Sequence, residues 1–329
     1  MELCYRKIAE KEYPKVIELW NRNLGILFPM DEKLFYGNLE MDKNYNLQYI
    51  LGAFNGEELA AFIIYKRQVS PLGLLPPSKN KGNVNSIVVD YKYRSQGIGG
   101  KLLSLCEAEL KNEGVETLSI GRDTFHFFPG APTEYIQSVA FFKKKGFIEE
   151  NIESDLVCDI SNIDLEEIVL KRGLKLNRDE RFEFCFLTDK YLSSLMEFFK
   201  RTFPGRWYGD MCLYLKYDME YRDLVLIVDK NEDKVVGFSH IFDKYSKVIG
   251  PGIYWRELLG NNFGGLGPIG IDEDYRKLGL GITLLQKCID IQKKRGVSKM
   301  CIDWTDLLDF YEIFNFMPWK SYVLMNKKI

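Results

Sequence analysis

The chain's 329 residues exceed the usual single-domain length and suit two domains, each large enough to bury a core of its own. With 46% apolar and 28% charged residues and a formal net charge of -2, the composition is that of a soluble globular protein, and it excludes a global field that would recruit nucleic acid or an anionic membrane. No apolar run reaches the roughly twenty residues of a membrane span, and the seven cysteines (Cys4, Cys106, Cys158, Cys185, Cys212, Cys288, Cys301) lie scattered with only His126 and His240 to join them, so the expectation is a reducing cytoplasm, no disulfide framework and no metal.

In chain order, the patterns predict a strand over residues 3–8, helices over 10–22 and 31–39, and a hairpin of 48–54 and 57–67 around the turn signal Asn55-Gly56. A Pro- and Gly-rich loop at 70–81 leads into a strand at 83–89, a glycine loop and a helix at 98–112. A strand at 117–121, an aromatic loop, a helix at 135–145 and a strand pair ending near 160 follow. The second half repeats this order: strand 181–187, helix 191–202, a hairpin of 224–229 and 234–243, strand 264–271, glycine loop, helix 282–294, strand 299–305, helix 307–316, and strand 321–327 closing the sheet. The charged stretch 162–177 fits neither half and reads as a partly helical linker. The partition is therefore a domain at 1–160, a linker at 161–178 and a domain at 179–329. A hairpin followed by β-α-β units predicts an α/β fold of the α+β kind, with a mostly antiparallel mixed sheet and parallel strands at the ligand site.

The repetition is sharpest at Tyr93-Arg94-Ser95-Gln96-Gly97-Ile98-Gly99-Gly100-Lys101-Leu102-Leu103 and Tyr275-Arg276-Lys277-Leu278-Gly279-Leu280-Gly281-Ile282-Thr283-Leu284-Leu285. Each follows an apolar strand and opens an amphipathic helix. Glycines remove the Cβ obstacle to a loop whose successive N–H groups converge, and the helix N-terminus adds about half a positive charge, so the pattern points to a diphosphate. A Rossmann fingerprint is excluded because Leu102 and Leu284 stand where its third glycine belongs, and a P-loop for want of Gly-Lys-Ser/Thr.

Arg-x-x-Gly-x-Gly after an apolar strand, twice, resembles the acyl-CoA loop of the GNAT superfamily of N-acetyltransferases, and the doubling resembles its tandem two-domain members. The resemblance implies acetyl-CoA as cosubstrate, with the diphosphate held by main-chain N–H groups of Gln96, Gly97, Ile98, Gly99 and Gly100 and of Leu278, Gly279, Leu280, Gly281 and Ile282. Arg94 and Arg276 hold the motif's first position; an ordinary solvated loop arginine is the competing reading. Backbone groups near Val89, Ile269 and Ile271 would pair with pantetheine, between parallel strands that splay apart.

The family's general acid is a tyrosine in the following helix. Tyr311 matches it in Phe310-Tyr311-Glu312-Ile313-Phe314-Asn315-Phe316, where Asn315 replaces the usual glycine and is expected to adopt the same left-handed conformation. The first half has Phe142 at that position, and phenylalanine has no proton to give, so the second copy is expected to do the chemistry and the first to bind acetyl-CoA without turnover or to be structural. Family geometry makes Asp303 the carboxylate that takes a proton from the amine or binds a cationic acceptor; a plain outward strand charge is the alternative, with Asp306 as the next helix's cap.

Aromatic residues at 203–208, Tyr254-Trp255, Trp304 and Trp319 are candidates for an acceptor pocket, although such residues are more often core. The loop Phe125-His126-Phe127-Phe128-Pro129-Gly130-Ala131-Pro132 reads as a lid or interface, with His126 a packing residue more readily than a base. Lys143-Lys144-Lys145 offsets a helix dipole, or contacts the CoA 3′-phosphate. The expected function is transfer of acetyl to a primary amine of a small molecule, with amino sugars such as glucosamine leading the acceptors. A non-catalytic acyl-CoA sensor, a protein or peptide N-acetyltransferase and a mycothiol-synthase-like enzyme are the alternatives.

Overall fold

The computed structural model describes residues 2–42, 49–67, 80–123 and 125–329, and the chain divides into two compact units, Met1–Glu153 with Lys320–Ile329, and Ser154–Trp319. The first unit contains β1 (Cys4–Lys7), α1 (Tyr13–Leu24), α2 (Glu32–Met41), β2 (Ile50–Asn55), β3 (Glu58–Arg67), β4 (Lys81–Val89), α3 (Ile98–Asn112), β5 (Thr117–Ile120), β6 (Ala131–Pro132) and α4 (Ile136–Lys144). The chain crosses to the second unit inside β7 (Ile148–Asp159). There it forms α5 (Leu165–Lys171), β8 (Phe182–Phe186), α6 (Asp189–Thr202), α7 (Arg206–Lys216), β9 (Leu224–Asp229), β10 (Lys234–Asp243), β11 (Phe263–Ile271), α8 (Leu280–Lys294), β12 (Lys299–Thr305) and α9 (Leu308–Glu312), and returns inside β13 (Met317–Lys328).

Both units build the same ladder. In the first, β1, β2, β3, β4 and β5 neighbour in that order and β13 pairs antiparallel with β5 from Met325–Ile120 to Lys328–Thr117. In the second, β8, β9, β10, β11 and β12 do the same and β7 pairs antiparallel with β12. Among the described residues only β4–β5 and β11–β12 pair in parallel, and each parallel ladder runs four residues before it stops, at Val84–Ile120 and Leu266–Ile302. Beyond that point β4 and β11 continue alone on that side, and a register shift at the same place on each strand turns them away from their partners.

Helices pack on these sheets through apolar stripes. In α3 the buried set is Ile98, Leu102, Leu103, Cys106 and Leu110, in α8 Leu280, Leu284, Leu285, Cys288 and Ile289, both at helical spacing. They join separate cores, one around Ile63, Tyr65, Val84 and Phe142, the other around Ile227, Leu266, Ile302 and Phe314. Four cysteines serve as small core residues: Cys106, Cys158, Cys288 and Cys301 are buried.

Several boundaries differ from the sequence reading. The partition at 160 and 178 gives way to units that exchange strands, because β7 and β13 each have 12 residues, enough for separate segments to enter different ladders. Strand 321–327 therefore closes the first unit's sheet, not the second's. The linker's residues belong to the second unit, where Leu165, Ile168, Val169 and Leu174 pack on the core. The strand pair before residue 160 is a single strand, β7, and the last helix is only Leu308–Glu312. The hairpin turns on Gly56-Glu57, one residue later than expected, since Asn55 still pairs with Glu58. Residue 48 of that hairpin and residues 70–79 of the predicted loop lie outside the described residues. Helix α7 falls between 202 and 224, where the sequence reading places no element and takes the aromatics at 203–208 as acceptor-pocket candidates; its i,i+4 pair, Arg206 Nε to Asp210 Oδ2 at 3.1 Å, is a helical signal.

Candidate active site

The two glycine loops are alike in backbone detail. Asp90 and Asp272 each accept a hydrogen bond from the residue two further on, Lys92 N at 3.0 Å and Asp274 N at 3.2 Å, and each opens one turn of 3₁₀ helix. An arginine from the unit's first long helix holds each aspartate, Arg22 to Asp90 at 2.7 Å and Arg201 to Asp272 at 2.6 Å. Ser95 and Lys277 are left-handed at φ 61° and 64°, and Gly97 and Gly279 at φ 81° and 75°, where each ends as the N-cap of α3 or α8. Left-handed residues two apart, leading into a helix N-terminus, turn successive N–H groups into one concavity, so the residues present fit the diphosphate of acetyl-CoA.

The first loop opens on a cavity of about 950 Å³ lined by Gly97, Gly99, Gly100, Tyr135, Phe141 and Lys145, within the size range of small-molecule sites. Arg94, exposed at the cavity's edge, is tied to β4 and α1: Nε donates to Val89 O at 3.1 Å and an Nη to Asn23 Oδ1 at 3.0 Å. Val89's carbonyl is thus already engaged. Lys143 pairs with Glu149 at 2.8 Å, while Lys144 and Lys145 line the cavity, Lys145 Nζ standing 2.8 Å from where a Cβ on Gly100 would lie. Phe142 also lines it, and Gly121 follows β5 where Asp303 sits in β12, as the parallel registers Lys81–Thr117 and Phe263–Lys299 establish.

The second unit has the reverse character. Asp303 lies one residue past the last parallel pair, Leu266–Ile302, where the strands part. The residue is partly exposed, but its Oδ1 is sealed from solvent and has no hydrogen-bond partner among the described residues. A Cβ at Gly267, which is at φ 144°, would come within 2.4 Å of that oxygen, so a side chain there would be strained and would displace the carboxylate. Burial, then the charge of Asp155, push the Asp303 carboxyl up to about 7, with Arg206 opposing them. Asp155 also holds the loop that follows: its Oδ1 accepts from Trp304 N at 3.0 Å, with Trp304 at φ 38°, and the Arg206 guanidinium lies 5.0 Å from the Trp304 ring.

Tyr311 is on α9 with 5% of its surface exposed. Burial, then the Asp303 charge, raise its phenol above the usual range, so it stays protonated near neutrality. Asn315 has φ 63°, matching Gly146 at 88°, and its N–H turns back to Glu312 O at 2.9 Å, so asparagine ends α9 as glycine ends the first copy's helix. The structure therefore brings Asp303 and Tyr311 into one electrostatic neighbourhood. Asp306 caps nothing; Leu307 N donates instead to Thr305 Oγ1 at 3.0 Å.

Neither histidine competes as base. His240 is packed among Tyr214, Phe238 and Phe242, and burial lowers it to about 3, too weak a base to keep an ammonium's proton. His126 is 2% exposed with Nδ1 3.0 Å from Asp123 O, inside a loop whose Phe127 and Phe128 pack on Trp20. That loop is core of the first unit and not a lid. Of the aromatic candidates, Tyr254 and Trp255 are buried and Phe203 packs on Trp207 and Phe238, while Trp304 directly follows Asp303 on β12. Asp155 escaped sequence reading because only the pairing of β7 with β12 brings it to the site.

The family model of the acetyltransferase (GNAT) family matches residues 13–147 and again 192–316. The chain belongs to the GNAT family. Its members generally use acetyl-CoA, and the two matches make this chain a tandem member. Among solved structures, it resembles a GCN5-related glucosamine N-acetyltransferase region of a fungal multi-domain β-N-acetylglucosaminidase, at 22% identity and a TM-score of 0.84. The likeness covers 99% of this chain and 38% of that protein, so this chain spans well under half its length. A GCN5-related N-acetyltransferase from Sphaerobacter thermophilus matches at 13% identity and TM-score 0.70, covering 99% and 95% of the two chains. A tandem GNAT protein from the clavulanic acid biosynthesis pathway matches at 14% and 0.68, covering 99% and 98%. At these identities the likeness is one of fold. No curated protein sequence matches the chain. Among the described residues, no helix is long and apolar enough to cross a membrane, and no group of three acidic, histidine or cysteine side chains is placed to hold a metal ion.

Proposed function

We propose that this protein is an N-acetyltransferase that moves acetyl from acetyl-CoA to a primary amine of a small molecule, by direct attack in a ternary complex, with the second unit as the productive one. The observation that carries this reading is the pairing of a carboxyl poised at about 7 with a protonated tyrosine where the parallel strands part. A general base works best with a pKa near the operating pH, and Asp303 meets that condition. Acetyl-CoA supplies the acyl group and a thiolate leaving group. As the amine nitrogen bonds to the acyl carbon and the carbon–sulfur bond breaks, Asp303, directly or through water, takes the amine proton and Tyr311 protonates the sulfur.

For the first unit, Phe142 and Gly121 in place of tyrosine and aspartate support binding without turnover. An amino sugar of the glucosamine type is the acceptor we place first, because Asp303 and Trp304 together offer a carboxylate for the ammonium and a ring for a sugar face. The likeness in fold to the fungal glucosamine N-acetyltransferase region supports placing this class first. We assign the protein to the cytoplasm on its odd thiol count. Free-thiol release from acetyl-CoA across a panel of amino sugars, polyamines and peptides tests the proposal. Preference for an amino sugar supports it, preference for peptides replaces it with protein modification, and no release with any amine replaces it with an acyl-CoA sensor.

A further inference from the structure

Part of the chain lies against the second glycine loop. After α5, Leu174 N–H turns back to Val169 O at 3.0 Å and Leu174 packs on the core, and residues 175–177 then cross the loop on the way to β8. Lys175 O lies 2.5 Å from where a Cβ on Gly279 would be, and Asn177 N 3.3 Å from it. Asn177 fastens the crossing. Its N–H donates to Thr283 Oγ1 at 2.8 Å, its Nδ2 donates to Leu278 O at 2.9 Å, and its Oδ1 accepts from Asp179 N at 3.1 Å. Among the described residues the first loop carries no such cover: Gly97 and Lys101, the counterparts of Gly279 and Thr283, are exposed and line the open cavity, and no described atom stands within 4 Å of a Cβ on Gly97. Thr283 by contrast is buried and Gly279 half-buried.

We propose that residues 174–177 form a strap that competes with acetyl-CoA for the second glycine loop, so that the productive unit rests closed and the thioester must displace the strap to bind. The inference rests on the reading of that loop as the productive acetyl-CoA site. The strap has the construction of a latch. One end is anchored in the core through Leu174, while the fastening to the loop is concentrated in one side chain and one N–H of Asn177, with the Nδ2 bond exposed to water. Hydrogen bonds of this kind are individually weak in net terms, so opening is within thermal reach. A ligand that needs the open form binds with an apparent affinity reduced by the fraction of time the strap is away.

The test uses the full chain. Titration with CoA by calorimetry is expected to give one tighter site at the first loop and one weaker at the second. Asn177→Ala, which removes the Nδ2 bond and loosens the crossing, is expected to tighten the second site about tenfold, lower the KM for acetyl-CoA to match and leave kcat unchanged. Thr283→Val leaves the strap's own sequence intact but removes its acceptor, together with the Thr283 Oγ1 bond to Gly279 O at 2.8 Å inside the loop; it is expected to act in the same direction, which covers the case in which Asn177→Ala folds poorly. Hydrogen exchange gives a local readout: at saturating CoA, the amides of 175–178 lose protection while those at the start of α8 gain it. CoA affinity unchanged in both variants, or protection of 175–178 retained when the start of α8 is saturated, would overturn the strap. Because these readouts are binding ones, failure of every amine in the acceptor panel would sink the enzymatic reading and leave the strap standing. Undiminished transfer with unaltered binding would sink the strap alone.

Discussion

The loop at 93–100 and the loop at 275–282 share an aspartate cap, an arginine clasp and a pair of left-handed residues, yet their surroundings are opposite. The first faces an open cavity lined by Phe142, in a unit with Gly121 at the end of β5; the second lies against residues 175–177, in a unit with Tyr311 and Asp303 at the equivalent positions. Local sequence specifies a loop's backbone, and so duplication preserves it. Access and reactivity depend on residues that other elements bring up, and these have diverged.

The sharpest way to break this comparison is to erase Asp303. Asp303→Asn is expected to lower kcat/KM by about 10³-fold and to remove the acid limb that the wild type shows as pH rises through about 7, measured as a pH-rate profile. Retention of both activity and limb would return the units to equal standing. Tyr311→Phe makes the second unit resemble the first at this position and is expected to lower kcat by about 10²-fold with little change in KM, read in steady-state thiol release.

Substitution of the loops is expected to separate binding from turnover. Gly279→Val stops turnover, since it meets both a left-handed φ and the Lys175 carbonyl, whereas Gly97→Val weakens CoA binding at the first loop about tenfold and spares most transfer. Calorimetry and turnover on the same two variants decide it, and the opposite pattern moves the chemistry to the first unit. A smaller effect lies in stability. The Asp303 carboxyl titrates higher in the fold than in the unfolded chain, so its contribution is favourable when protonated and is lost as pH rises through about 7. Asp303→Asn should therefore raise Tm by a few degrees at pH 8 and by less at pH 5, followed by calorimetric melting. Smallest of all, Phe142→Tyr is expected to confer no transfer on the first unit, because Gly121 leaves the new phenol without a base.

Much of the architecture was legible because it is written locally. Helical spacing located α3 and α8, turn residues located the hairpins, and Asn315 was recognisable as a stand-in for glycine because its side chain tolerates φ 63°. What stayed hidden depends on distant partners. Nothing near Ser154 and Asp155 shows that they enter a ladder with residues 299–305, and nothing in the polar stretch around Asn177 shows that it lies over Gly279. The value of about 7 at Asp303 was likewise invisible, since it comes from a sealed oxygen and a neighbouring carboxylate on another strand.

The final strand of the first unit is supplied by residues 320–329, which come after the whole of the second unit in the chain. During translation, β5 therefore waits with an uncovered edge until the second unit has been synthesised, a state that invites non-native pairing. Expression of residues 1–153 alone would freeze the nascent chain in that condition, whereas a circular permutant that places 320–329 ahead of residue 1 would let the first unit mature as it emerges.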